Sequence, residues 1–149
     1  MQIDVKTFSE LTTPMLYEVL QLRTEVFVVE QDCVYQDLDG KDHKALHVLG
    51  TKEGVLVAYT RIFKGGDYFG EASIGRVVVK KDQRQFGLGR VIMKASIQAV
   101  YDYFGPQTIH LSAQCYLKKF YKSLGFEEKG EAYLEDGIPH VGMWLGESL

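Results

Sequence analysis

The stretch Ser73-Ile74-Gly75-Arg76-Val77-Val78-Val79-Lys80, carried by Lys81-Asp82-Gln83 into Arg84-Gln85-Phe86-Gly87-Leu88-Gly89-Arg90, decides how this chain is read. Its first half is β-branched and strand-like. Its second half sets two glycines ahead of a long amphipathic stretch, where Leu88, Val91, Ile92, Ala95, Ala99 and Tyr103 recur at helical spacing. A strand, a glycine turn and a helix start leave backbone N–H groups without internal partners at a point where the helix dipole favours an anion. Glycine at 87 and 89 lets a phosphate approach that backbone closely. Two other phosphate loops fail the test: Arg90-Val91-Ile92 supplies no third glycine for GxGxxG, and the chain has no GK[ST].

Working outward toward the N-terminus, Gln2–Phe8 alternates as a short strand. Thr13 followed by Pro14 reads as an N-cap and first helical position, opening a helix over about 14–29 with Leu16, Val19, Leu20, Arg23 and Phe27 on one face. The acidic segment from Cys33 to His43 reads as a loop, and strands follow over 45–52 and 55–63 around the turn Glu53-Gly54. Toward the C-terminus, Gly105-Pro106 stops the long helix and 108–114 is a strand. A short helix over 116–124 closes at Gly125, and strands over 126–134 and 140–145 flank Asp136-Gly137. The order β α β β β α β α β β predicts an α/β (α+β) fold with a mixed central sheet and helices on both faces. No repeat or linker interrupts it, so residues 1–149 are expected to form one domain.

Composition narrows the classes. An apolar fraction of 46% with nine Tyr and eight Phe excludes disorder, and 15 Gly against three Pro without a period excludes fibrous sequences. Seventeen basic against 20 acidic residues give a net charge of −3, which speaks against nucleic-acid and membrane-surface binding. No apolar run reaches the ~20 residues of a membrane helix, and MQIDVKTFSE lacks the features of a signal peptide. Cys33 and Cys115 form no CxxC and fit reduced thiols, so the expected compartment is the cytoplasm.

Arg84, Gly87 and Gly89, behind a Val-rich strand, resemble the [QR]xxGx[GA] acyl-CoA loop of the GNAT N-acetyltransferase superfamily. Downstream, Phe120-Tyr121-Lys122-Ser123-Leu124-Gly125-Phe126 resembles the YxxxGF helix of that superfamily, and the element order matches its fold. Within it, LRTEVFVVEQ, YQDLDG, IGRVVV and YLEDGIPHVGM are similar to the ElaA-like subgroup, and together they cover most of the chain.

The resemblance implies an acetyl-CoA-dependent N-acetyltransferase in which a neutral primary amine, on a small molecule or a protein, attacks the thioester directly. The pantetheine arm is expected along Val77, Val78 and Val79. The pyrophosphate is expected on the amides of Arg84, Gln85, Phe86, Gly87, Leu88, Gly89 and Arg90, with both arginine side chains adding charge and Gln114 and Tyr121 completing the cofactor site. Tyr121 occupies the family's position for the general acid that protonates the leaving thiolate, a task that suits a phenol. The base, or another group of the acceptor site, is left among Glu30, Glu71, His110 and His140. An acyl-CoA-binding sensor of the same fold is the alternative, and Tyr121 speaks for turnover because a pure binder needs no acid. Members of the superfamily often pair, so the resemblance allows a homodimer, while the sequence itself leaves the oligomeric state open.

Arg61 and Arg76 are mid-strand charges that need partners, either carboxylates such as Asp37 and Asp39 or a substrate carboxylate. No metal site is expected, because Gly40 is misplaced for a calcium loop and His43 with His47 lacks a third ligand.

Overall fold

A computed structural model of the chain describes residues 1–146, so the last three residues of the expected 1–149 unit lie outside the described residues. β1 (Gln2–Thr7) leads into α1 (Thr13–Arg23), β2 (Leu46–Lys52), β3 (Val55–Phe63) and β4 (Ala72–Val79). Then come α2 (Leu88–Phe104), β5 (Ile109–Gln114), α3 (Lys118–Ser123), β6 (Glu127–Glu128), β7 (Tyr133–Glu135) and β8 (Ile138–Leu145). They build one 8-stranded sheet in the order β1-β2-β3-β4-β5-β8-β6, with β7 also on β8. Among the described residues only β4 and β5 run parallel, as expected where a helix makes the crossover.

Strand alternation assigns the two faces. Val19, Leu22 and Val26 pack with Leu49, Leu56, Tyr59 and Val78 on one face. Leu46, Val48, Ala58, Ile62, Ala72 and Ile74 turn to the other, against Ile92, Met93, Ala99 and Val100 of α2 and Tyr121 of α3. Ile92 is completely buried there, so its truncation to Ala costs about 2–5 kcal/mol. The mixed sheet with helices on both faces is therefore as the element order predicts, and among the described residues no helix is long and apolar enough to cross a membrane.

Several boundaries differ from the sequence reading. The cap of α1 is Thr12, whose hydroxyl accepts from the Met15 N–H at 3.3 Å, and Thr13 is already helical. The α-helix expected to reach 29 stops at Arg23 and continues as a wider, π-type coil over Thr24–Glu30, closed by a bond from the Gln31 N–H to the carbonyl of Val26, five residues back. Such insertions re-aim side chains and concentrate at functional sites; this one turns Phe27, Glu30 and Gln31 toward a cleft. The helix expected over 116–124 opens with a tight turn, Cys115–Leu117. The strand expected over 126–134 is broken into β6 and β7, with Gly130 at φ +82 between them. Asp136 and Gly137, both at positive φ, give β7–β8 the tight hairpin that Asp-Gly favours.

The decisive irregularity is in β4. Against β3, Val78 faces Tyr59 but Gly75 faces Arg61, so β4 carries one extra residue, and Arg76 sits there at φ +49. This bulge bends β4. Its pairing with β5 ends after Ala72–Ile109 and Ser73–His110, whereas β5 keeps pairing with β8 along its whole length. From Ile74 onward β4 and β5 diverge, and the wedge between them is the cleft.

Candidate active site

The cleft has a volume of about 650 Å³ and runs from the start of α2, along the unpaired edge of β4, to the β7–β8 hairpin. Ile74, Gly75, Val77, Val78 and Val79 line one wall; Leu111, Ser112 and Gln114 of β5 line the opposite one. An open strand edge in a wedge this narrow can take an extended ligand through main-chain hydrogen bonds.

At one end Gly87 caps α2 in the left-handed conformation, at φ +69, and no side chain caps the helix. The amides of its first turn therefore remain available to an anion. Gly89 needs no special φ, and a Cβ there would meet only the Phe120 ring at 3.6 Å and Val79 at 3.9 Å. Nothing in the protein demands glycine at 89, so what the missing Cβ leaves room for is a ligand against the backbone. The chain thus fits the phosphate and pantetheine portions of an acyl-CoA.

Of the expected cofactor residues, Val77, Val78, Val79, Arg84, Gly87, Gly89, Arg90, Gln114 and Tyr121 line the cleft; Gln85, Phe86 and Leu88 do not. Leu88 is buried in the core, and Phe86 turns outward beneath the Lys52 ammonium, 4.1 Å from its ring centre. Phe86 and Leu88 can serve only through their main chain. Arg84 is not a free charge either: it grips Glu30 through both terminal nitrogens and donates from Nε to the Val79 carbonyl at 3.1 Å. Arg90 donates to the Ser123 hydroxyl at 3.0 Å. Gln114 exchanges amide hydrogen bonds with Gln31 at 3.3 and 3.4 Å.

Tyr121 stands at the centre of the wedge, its ring held edge-on between Phe120 and Phe126. It is 5% exposed, and burial pushes its phenol well above the usual tyrosine range. The group therefore stays protonated at any working pH.

The four candidates for the base are not brought together. Glu30 lines the cleft, but the hydrogen bond from Arg84 holds its carboxyl below the usual glutamate range, which makes it a poor proton acceptor. Glu71 and His110 stand 3.4 Å apart where β4 and β5 are still paired, and neither lines the cleft. The His110 ring lies between Phe69 and Trp144, each 4.1 Å away, and burial, partly offset by Glu71, lowers its pKa. His140 does line the cleft. Its Nδ1 donates to the Ile138 carbonyl at 2.7 Å, which leaves Nε2 as the exchanging nitrogen, 3.3 Å from Glu135 Oε2.

Glu135 is the residue that the sequence reading missed. Its Oε1 accepts from the Ser112 hydroxyl at 3.1 Å, and Ser112 is bonded in turn to the Tyr133 hydroxyl. The available signal was its place in Glu135-Asp136-Gly137-Ile138-Pro139-His140, immediately before a tight turn that folds its carboxyl back over β5.

Arg61 and Arg76 find carboxylates of the chain itself. Arg23 and Arg76 meet Asp37 at 2.8 and 2.7 Å, Arg61 meets Asp39 at 2.6 Å, and Asp42 bridges Arg23 and Arg61 at 2.7 and 2.9 Å. The charges cancel, and the cluster pins the loop between the π-type coil and β2 against the sheet. Its Tyr35, with Cys33 donating to the Asp136 carbonyl at 3.1 Å, closes the cleft near the hairpin.

A family model described as an acetyltransferase (GNAT) domain matches residues 10–146. The chain belongs to the GNAT acetyltransferase family. Protein ElaA of Escherichia coli (strain K12) is 44% identical over 137 residues, 91% of this chain and 90% of that protein. Among solved structures, an acyl-CoA N-acyltransferase from Pseudomonas aeruginosa superposes with a TM-score of 0.92 at 40% identity, covering 98% of this chain and 100% of that one. The crystal structure of Escherichia coli ElaA gives 0.89 at 40% identity, over 97% and 99%. This GNAT chain is accordingly an acyltransferase enzyme of the ElaA-like group.

Proposed function

We propose that this GNAT domain, spanning 1–149, is a cytoplasmic enzyme that transfers acetyl from acetyl-CoA to a primary amine within a ternary complex. The observation that carries the reading is the divergence of β4 from β5 after Ser73, which joins the uncapped start of α2 to Tyr121 in one continuous cleft.

The open edge at Val77, Val78 and Val79 would hold the pantetheine arm, and the amides around Gly87 and Gly89 the pyrophosphate. Acetyl-CoA supplies an activated acyl carbon, whose transfer to nitrogen frees a thiol and requires the nitrogen to give up a proton. Tyr121 holds the proton that a leaving sulfur takes. The His140–Glu135 pair holds and moves a proton on the other side of the cleft, with His140 Nε2 and Glu135 Oε2 as the exchanging atoms. The remaining protein groups bind and orient, and proximity accounts for much of the acceleration. Tyr121 favours turnover over a binding-only sensor, since binding alone gives a buried phenol in the wedge no task.

The test is calorimetry of the purified protein with acetyl-CoA and with CoA, followed by a thiol-release assay over a panel of primary amines. Binding of both nucleotides and amine-dependent thiol release are expected. Failure to bind either nucleotide overturns the proposal.

A further inference from the structure

The acceptor end of the cleft has one charged pole and one apolar wall. The pole is the Glu135 carboxylate. It is fixed from three strands, by Ser112 on β5 at 3.1 Å, by His140 on β8 at 3.3 Å, and by its own place on β7. Its side chain is still 44% exposed, so one side of the carboxylate faces the cleft. The wall consists of Tyr35, Phe63, Tyr68, Phe69 and Ile138. Within it Phe63 and Tyr68 stack at 5.1 Å, and Tyr68 meets Phe69 edge-on at 4.8 Å. Phe63 is 2% exposed and backs the wall, so Tyr68 and Phe69 are the rings offered to an occupant.

The arginines that line this end are engaged by carboxylates of the chain itself. Arg61 is engaged by Asp39 and Asp42, and Arg76 by Asp37 and Asp39. At the other end, Arg84 is engaged by Glu30. Among the described residues, the one cleft arginine without a carboxylate is Arg90, in the first turn of α2 at the opposite, phosphate-binding end. Lys41, which does not line the cleft, holds its ammonium 4.7 Å from the Tyr68 ring centre. Among the described residues that do line this end, an acceptor carboxylate would meet no unpaired cation, and it would lie near Glu135, a like charge.

We infer that the acceptor is a primary amine with an apolar, ring-sized body and no carboxylate, its ammonium seated on Glu135 and its body on Tyr68 and Phe69. This rests on the acetyl-transfer reading for the fate of the amine, but not for its binding.

The experiment titrates the CoA-saturated protein calorimetrically with 2-phenylethylamine, with phenylalanine (the same skeleton plus a carboxylate) and with ethylamine (the same amine without the ring). 2-Phenylethylamine is expected to bind at least about tenfold more tightly than either. Glu135→Gln, which keeps the shape and removes the charge, is expected to weaken it about tenfold or more while leaving CoA affinity unchanged. Tyr68→Ala, a surface truncation, should narrow the gap between 2-phenylethylamine and ethylamine. Equal binding of phenylalanine, equal binding of ethylamine, or an unaffected Glu135→Gln variant would overturn the inference. A parallel thiol-release assay separates the two readings. Selective binding without thiol release upholds the subsite and overturns acetyl transfer. Thiol release that is as fast with phenylalanine overturns the subsite and upholds acetyl transfer.

Discussion

Glu30 and Arg84 meet across the mouth of the cleft as a two-pronged ion pair, with Arg84 Nη1 2.6 Å from Oε2 and Nη2 2.9 Å from Oε1. The pair joins the π-type coil to the glycine loop. It also occupies the arginine that the sequence pattern assigns to a pyrophosphate. Being partly exposed, such a pair contributes no more than about 1 kcal/mol and opens readily. Glu30→Gln should therefore release Arg84 and raise CoA affinity about two- to fivefold at low salt, with the gain shrinking in 0.5 M salt as screening rises (on the order of a 4 Å Debye length). Calorimetry at the two salt concentrations measures this. Turnover should be retained; a hundredfold fall in kcat would instead make Glu30 the base.

Tyr121→Phe removes one oxygen from a buried ring and leaves its packing against Phe120 and Phe126 intact. The expected loss in kcat is about 10²- to 10⁴-fold, the usual contribution of a positioned acid. CoA dissociation constants should stay within about twofold. Because burial keeps this phenol protonated, the wild-type rate should show no alkaline fall from Tyr121 below about pH 10, the ordinary tyrosine value. A pH–rate profile of both proteins checks this.

Gly89→Ala separates ligand exclusion from folding. The added methyl finds its nearest protein atom at 3.6 Å, and alanine suits a helix better than glycine. Thermal stability without ligand should be unchanged or up to about 1 kcal/mol higher, yet CoA should bind at least about tenfold more weakly. Equal affinity would show that no ligand passes over that backbone.

These cases mark how far the sequence could be read. Element order and sheet class were legible because strand and helix periods differ and glycine punctuates the boundaries at 54, 105, 125 and 137. The glycine loop and Tyr121 were legible because both are local patterns. The bulge at Arg76 was not, since it exists only as a register difference between β3 and β4. The π-type coil was hidden by residues that also suit an ordinary helix. Glu71 and His110 looked equivalent to His140, because strand phase gives the face of a residue but not where along the strand the sheet opens. Glu135 needed the third dimension: its partner Ser112 is 23 residues away.

Arg23, fully buried, depends on Asp37 and Asp42, which lie 14 and 19 residues further along the chain. Asp37→Asn keeps the shape and removes a charge, leaving buried Arg23 with Asp42 alone and Arg76 with Asp39 at 3.6 Å. A loss of about 3–5 kcal/mol is expected, as when one partner of a buried pair is removed. That is on the order of 6–20 °C in Tm for a chain of this length. Urea denaturation gives the magnitude. A change below 1 kcal/mol would mean that the cluster does not hold the loop in place.

Acid should act on the same cluster. Against the upward push of burial, hydrogen bonds from Arg61 hold the Asp39 carboxyl well below its ordinary range, and Arg23 and Arg61 likewise lower Asp42. With the folded values depressed, the unfolded chain takes up the protons first. The contribution is full above the unfolded value of ~3.9 and is lost as pH falls toward the folded ones. Stability should hold from neutral pH to about pH 5 and fall below it. Asp39→Asn should flatten that fall, as measured by urea titration from pH 7 to pH 3.

The early end of the β4–β5 ladder has a consequence for the protein's lifetime. Six residues of β4, Ile74 to Val79, have a neighbour on one side only, in the middle of the sheet. An acyl-CoA bound there as proposed would act as the missing neighbour and complete the sheet. At a ligand concentration a hundred times its dissociation constant, mass action adds about 2.7 kcal/mol to folding. The abundance of this protein would then follow the acyl-CoA supply of its surroundings, with the starved form the first to be unfolded and degraded.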